Sequence, residues 1–167
     1  GVSIAYAYSG PWVASETDAL GRTTAYAYDA MGRRVSVTDA SGNVSRTMYD
    51  AAGNVVGETD GTGAHTTYEL TPMGYLASLV DANGQRTTFA RDAKGQATSV
   101  TLPSGATESY AYDAAGNQVS HTDALGNTET WDFDCKGRCT AHADMAGSVT
   151  SYAYDARGFL VREEGPD

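Results

Sequence analysis

Glycine recurs along this 167-residue chain at positions 21, 32, 42, 53, 63, 74, 84, 95, 105, 116, 126, 137, 147 and 158, and the spacing alternates between 11 and 10. The period is therefore 21 residues in two unequal halves, which makes the chain a series of about seven units that each lean on their neighbours. Three residues before twelve of these glycines stands an aspartate, with Thr71 and Leu102 in its place at the other two. Asp-x-x-Gly reads as a type I turn in which Asp accepts local backbone N–H bonds and Gly takes the left-handed conformation. The pairs Asp18 and Gly21, Asp29 and Gly32, Asp39 and Gly42, Asp50 and Gly53, Asp113 and Gly116, Asp123 and Gly126, and Asp155 and Gly158 are thus predicted chain reversals.

Between the turns lie segments of six or seven residues, such as 22–28 and 33–38, too short for helices and rich in Thr, Val and Tyr. The chain is expected to be all-β, an antiparallel meander of hairpins each closed by a type I turn and a glycine bulge. Side chains two apart share a face. The column Tyr26, Thr47, Tyr68, Phe89, Tyr110, Trp131 and Tyr152 is aromatic at six of seven places. Two residues on, the same face carries Tyr28, Tyr49, Leu70, Arg91, Tyr112, Phe133 and Tyr154, while the opposite face holds small or polar residues such as Ala25, Ala27, Ser36 and Thr38. Leu, Ile, Val and Phe together number 23 of 167 residues, so rings of roughly 150–250 Å² each must replace an aliphatic core. Fourteen turns predict up to fifteen strands. A flat sheet of that many would span ~70 Å at ~4.8 Å per strand, so it is expected to curl into an arc, spiral or barrel-like wall.

Charge narrows the partners. With 11 Lys and Arg against 21 Asp and Glu the net charge is −10, the wrong sign for displacing counterions from phosphate, so no nucleic acid is expected. No apolar run is long enough for a membrane-spanning helix, and no membrane insertion is expected. The opening GVSIAYAYSG lacks the charged and apolar regions of a signal peptide. The first unit, with Ser9 where Asp is expected, is one residue short, and the last stops one residue before the next predicted glycine. Both features suggest a piece of a longer array, whose two edge strands would leave self-association open.

The run Gly21, Arg22, Tyr26, Tyr28, Asp29, Gly32 and Arg33, echoed by Gly105, Tyr110, Tyr112, Asp113, Gly116 and by Gly147, Tyr152, Tyr154, Asp155, Gly158, resembles the tyrosine-aspartate (YD) repeats of Rhs proteins. The likeness covers essentially all of residues 1–167. It implies a hollow β-strand shell that encloses a C-terminal toxin, as in Rhs effectors and the B and C subunits of insecticidal toxin complexes. Similar repeats occur in wall-associated proteins and teneurins. The expected partners are then the rest of the parent shell and its enclosed toxin, made in a bacterial cytoplasm and exported within a larger protein. The family's self-cleaving Asp-Pro-x-Gly element has no counterpart around Pro11, Pro72, Pro103 or Pro166.

Catalytic and metal chemistries fit the residues poorly. Calcium rolls use several oxygens per turn, whereas each turn here carries one Asp, usually with no second acid. His121 and His142 stand one period apart in one column, on strands ~9.6 Å apart, too far to share a zinc readily. Cys135 and Cys139 flank the turn at Gly137 as a lone pair, read as free thiols although spacing leaves a bridge open. Ser, His and Asp occupy repeat positions, so no catalytic residue, metal or cofactor is assigned, and Arg33, Arg34 and Arg91 read as solvated or paired with Asp. The function expected is a non-catalytic shell segment. The alternative is an extracellular adhesion or wall-associated module that binds glycan or protein.

Overall fold

The structure, a computed structural model, describes residues 4–166. They form sixteen strands and no helix, and strand order in the sheet follows chain order. Two compact units divide the chain, Gly1–Arg86 and Thr87–Asp167. The first holds β1 (Ala5–Ser9), β2 (Trp12–Thr17), β3 (Thr23–Tyr28), β4 (Arg34–Thr38), β5 (Val44–Tyr49), β6 (Val55–Thr59), β7 (His65–Leu70) and β8 (Leu76–Val80). The second is built on β9 (Arg86–Arg91), β10 (Ala97–Thr101), β11 (Thr107–Tyr112), β12 (Gln118–Thr122), β13 (Thr128–Phe133), β14 (Cys139–Ala143), β15 (Val149–Tyr154) and β16 (Leu160–Glu164). Every strand pair with a described register is antiparallel, as the meander requires. Sixteen strands exceed the fifteen expected because Gly10, at φ +61°, closes one more hairpin, with Ser9 opposite Trp12 across a two-residue Gly-Pro loop.

Each of the fourteen ladder turns closes with the same pair of backbone bonds. At Asp39, the Gly42 N–H donates to the Asp39 carbonyl at 3.0 Å and the Asp39 N–H to the Asn43 carbonyl at 2.9 Å. The carboxylate then accepts the N–H groups of Ser41 and Asn43 at Oδ1 and the Asn43 amide at Oδ2, all at 2.8 Å. One side chain thereby satisfies backbone donors that no ladder reaches. Where Thr71 replaces Asp, its Oγ1 accepts the Tyr75 N–H at 3.1 Å. Where Leu102 replaces it, the backbone bonds persist and Ser104 Oγ accepts the Ala106 N–H at 3.3 Å.

Register carries the second regularity. Across β3 and β4, Tyr26 faces Val37 and Ala27 faces Ser36, but Tyr28 faces Arg34, so Val35 is an extra residue. The same bulge recurs in β5–β6, β7–β8, β9–β10, β11–β12, β13–β14 and β15–β16. From β4 to β5, Val37 faces Ser45 without interruption, whereas the periodic equivalent of Tyr26 is Thr47, two residues beyond Ser45. Register therefore slides by two residues for every pair of strands, one from the bulge and one from the unequal half-periods. A slide of ~6.6 Å over ~9.6 Å of sheet inclines the line of equivalent residues by about 35° from the perpendicular to the strands.

Neither unit has an aliphatic core. Among the described residues no apolar side chain is buried. In β3, β9, β11, β13 and β15 burial alternates, with ring-face residues half-buried and their neighbours exposed. The fullest burial lies on the opposite face, the one made of small and polar residues: Ser78 is 2% exposed and Gly57 is buried. Long side chains on that face cause it. The Met48 methyl lies where a Cβ on Gly57 would stand, and Arg86 reaches over Ser78 to pair with Glu69.

Candidate functional site

The predicted turn glycines Gly21, Gly32, Gly42, Gly53, Gly116, Gly126 and Gly158 all lie at φ between +76° and +96°, as does every other glycine of the ladder. The predicted aspartates Asp18, Asp29, Asp39, Asp50, Asp113, Asp123 and Asp155 each accept bonds within their own turn. Those bonds depress their carboxyl pKa values. Asp134, held first by the Arg138 side chain and then by its N–H, falls to about 2. Tyr26, Tyr28, Tyr68, Phe89, Tyr110, Tyr112, Trp131, Tyr152 and Tyr154 all stand half-buried on the ring face.

The turns on one rim are tied to those one period on. Arg33 pairs with Asp29 and donates from Nη1 to the Asp50 carbonyl at 3.1 Å. Lys94 and Gln96 reach the carbonyls of Ala114 and Gly116 at 2.7 and 3.1 Å. Arg33 is thus paired with Asp, one of the two expected states, and it also lies 4.6 Å from the Tyr49 ring centroid, while Arg34 lies 5.5 Å from that of Tyr26. Arg91 lies 5.9 Å from the Phe89 ring and donates to the Gly95 carbonyl at 2.8 Å.

Parity places the rings but does not show where their hydroxyls go. Tyr28, Tyr49 and Tyr154 each donate to a backbone carbonyl fifteen residues earlier, Val13 at 3.1 Å, Arg34 at 3.3 Å and Cys139 at 2.8 Å. Arg34 and Cys139 open the preceding five-residue strands β4 and β14, and Val13 is second in the preceding β2, each beside its strand's bulge, where ladder bonding is interrupted. Tyr26, Tyr68 and Tyr110 donate instead to the carboxylates of Glu16, Glu58 and Glu108, each at 2.8 Å. Each phenol is thereby pushed above its usual pKa, the hydrogen bond to the glutamate being the main cause.

In the second unit the ring face gathers its titratable groups. The His121 Nδ1 and Glu129 Oε1 lie 2.9 Å apart, and the second Glu129 oxygen lies 3.3 Å from His142 Nε2. His121 Nε2 lies 3.4 Å from Glu108 Oε2, an ion-pair contact without hydrogen-bond alignment. His121 stacks on Tyr110 at 5.0 Å and His142 on Trp131 at 5.2 Å. Glu129 raises the His121 pKa, opposed by burial and assisted by Glu108. Sequence reasoning paired the two histidines but missed the glutamate between them. Its signal was available, since Glu108 and Glu129 each stand two residues before a ring. No group of three or more metal-ligating side chains is assembled among the described residues. His65 has Nδ1 2.9 Å from Thr59 Oγ1. Cys135 and Cys139 are free, and burial raises the Cys139 thiol.

The family model for the RHS repeat matches residues 1–44, 49–86, 76–105, 91–128 and 133–167. No curated protein matches the chain. A Photorhabdus luminescens Tc holotoxin pore carrying a TccC3 mutation is similar in fold, at TM-score 0.68 and 18% identity over 94% of this chain and 10% of that one. The TcdB2–TccC3 crystal structure gives TM-score 0.73 and 15% identity over 98% of this chain and 10% of that one. A TcdB2–TccC3 structure without its hypervariable C-terminal region gives 0.59 and 15%, over 97% and 11%. The chain thus spans about a tenth of the length of the structures it matches.

Proposed function

The chain belongs to the RHS repeat family, and on that premise we propose that residues 1–167 are one non-catalytic YD-repeat array, a segment of a longer β-shell that encloses a C-terminal toxin. The observation that carries the proposal is that, within each unit, no second layer covers the rings among the described residues. Strands follow one another by hairpins, no apolar side chain is buried among the described residues, and one face presents half-buried rings. A globular domain covers such a face with another layer of its own. A wall leaves it toward whatever it encloses. The two-residue slide per strand pair favours a spiral, because a continuous stagger tilts every strand in the same sense. In this reading the Asp–Gly turns and the ring column are the structural residues of the wall, and its partners are the remaining shell and the enclosed toxin.

The reading is tested in the parent protein by limited proteolysis of its C-terminal region. With the repeats intact that region resists cleavage. With Tyr110→Ala and Trp131→Ala together, it becomes cleaved under the same conditions. Cleavage that is equally fast with intact repeats would contradict enclosure.

A further inference from the structure

We infer that the second unit carries a proton-operated catch between β11 and β12, closed while the His121 imidazole holds two protons and open on its Glu108 side once it holds one. The inference goes beyond the shell reading and does not depend on it. Its basis is a row of side chains that the repeat assembles in one place. Glu108 and Glu129 stand where the other periods carry Thr24, Ser45, Thr66, Thr87 and Thr150, and the column of His121 carries Val37, Leu79 and Val100 elsewhere. Among the described residues, His121 is the one imidazole with a glutamate in reach on both neighbouring strands.

Both ring nitrogens of His121 face carboxylates. Nδ1 lies 2.9 Å from Glu129 Oε1, and Nε2 lies 3.4 Å from Glu108 Oε2, closed to water and without a hydrogen-bond partner among the described residues. Two protons suit this arrangement, because a neutral imidazole has one N–H and turns a lone pair towards one of the two carboxylates. The two sides are held unequally. Glu129 is fixed from both directions, its second oxygen lying 3.3 Å from His142 Nε2, whereas the other described contact of Glu108 is the Tyr110 hydroxyl at 2.8 Å. The shorter Nδ1 bond therefore keeps the last proton, which leaves a lone pair and no cation opposite Glu108. Tyr110, stacked on His121 at 5.0 Å, completes the β11 side, and Tyr112 beyond it faces Gln118. Strands β11, β12 and β13 contain no lysine or arginine, and Asp132 of β13 stands on the other face, opposite Ala141. Because the His121 pKa is raised, chiefly by Glu129, the catch is closed below the ordinary imidazole value and opens as pH rises through the folded one.

The test is nuclear magnetic resonance of the intact chain with isotope-labelled histidine and glutamate, titrated from about pH 5 to about 9. His121 titrates above about 6.5, and its neutral form carries the proton on Nδ1. Cross-peaks between the His121 ring and the Glu108 side chain are lost through that titration, while those to Glu129 persist. In Glu108→Gln the new amide donates to a bare Nε2 and its oxygen still accepts the Tyr110 hydroxyl. Cross-peaks from His121 to that side chain then survive at high pH, and the titration moves down. Asp132→Asn, on the other face, changes neither. A neutral form protonated on Nε2, cross-peaks to Glu108 that outlast the titration in the unsubstituted chain, or loss of both sets together overturns the inference, as does an equal effect of Asp132→Asn. The readings on the unsubstituted chain decide the matter even where Glu108→Gln fails to fold. None of these outcomes bears on protection of the C-terminal region, so the catch and the shell reading stand or fall separately.

Discussion

Each turn joins a left-handed glycine to a carboxylate that collects donors, and the two parts fail differently. Gly116→Val forces a β-branched side chain to φ near +96° and is expected to cost on the order of 1–2 kcal/mol or more in a denaturant titration. Gly32→Ala meets a second obstacle, because its Cβ would stand 2.6 Å from Trp12 Cη2, whereas a Cβ at Gly42 meets nothing within 4 Å. Gly32→Ala should therefore lower the melting temperature more than Gly42→Ala. The carboxylates fail with acid. Their folded pKa values lie below the ordinary value of 3.8, Asp134 at about 2, so their contribution is full above the unfolded pKa and vanishes as pH falls through the folded one. Melting temperature should hold from neutral pH to about 4 and fall steadily towards 2. Asp134→Asn should flatten part of that fall.

A strand pair succeeds by parity, so substitutions on its two faces must be unequal. Tyr110→Ala removes a half-buried ring and should cost about 1–2 kcal/mol, while Ala111→Ser, on the exposed side of the same strand, should cost little. Tyr154→Phe removes only the bond to the Cys139 carbonyl and should cost about 1 kcal/mol. The His121 cluster works in the opposite pH direction to the turns. Its folded pKa is raised, so its stabilisation is complete below about 6.5 and is lost as pH rises through the folded value. His121→Gln should lower the melting temperature at pH 6 and leave a smaller difference at pH 9. Turns and parity were legible in the sequence because both are local: Asp-x-x-Gly names its conformation, and alternation names a face. The bulges within the strands were not, since an extra residue such as Val35 shows only against its partner strand. The Glu129 bridge and the burial of Ser78 were hidden for the same reason, because each depends on which long side chain a neighbouring strand brings across. The extra hairpin at Gly10 escaped because its two-residue loop lacks the aspartate that marks the others.

The 21-residue period is the unit of inheritance, since direction and face return after two strands while register advances by a constant two residues. Deleting residues 118–138 removes one full period, and the remainder should keep a β-type circular dichroism spectrum and a cooperative melt. Deleting only 118–127 reverses the direction of everything that follows and should abolish cooperativity. The repeats thus behave as a one-dimensional array in which neighbouring units, rather than a shared core, supply the stability. The central claim is that this register, sliding two residues per period, keeps the ring columns of each unit on one of its faces. Cross-strand nuclear Overhauser effects between backbone protons test it most directly. They should pair Tyr26 with Val37, Tyr110 with His121 and Trp131 with His142. Cross-peaks pairing Trp131 with Ala141 or Tyr110 with Ser120 would place the rings on the other face and contradict the account.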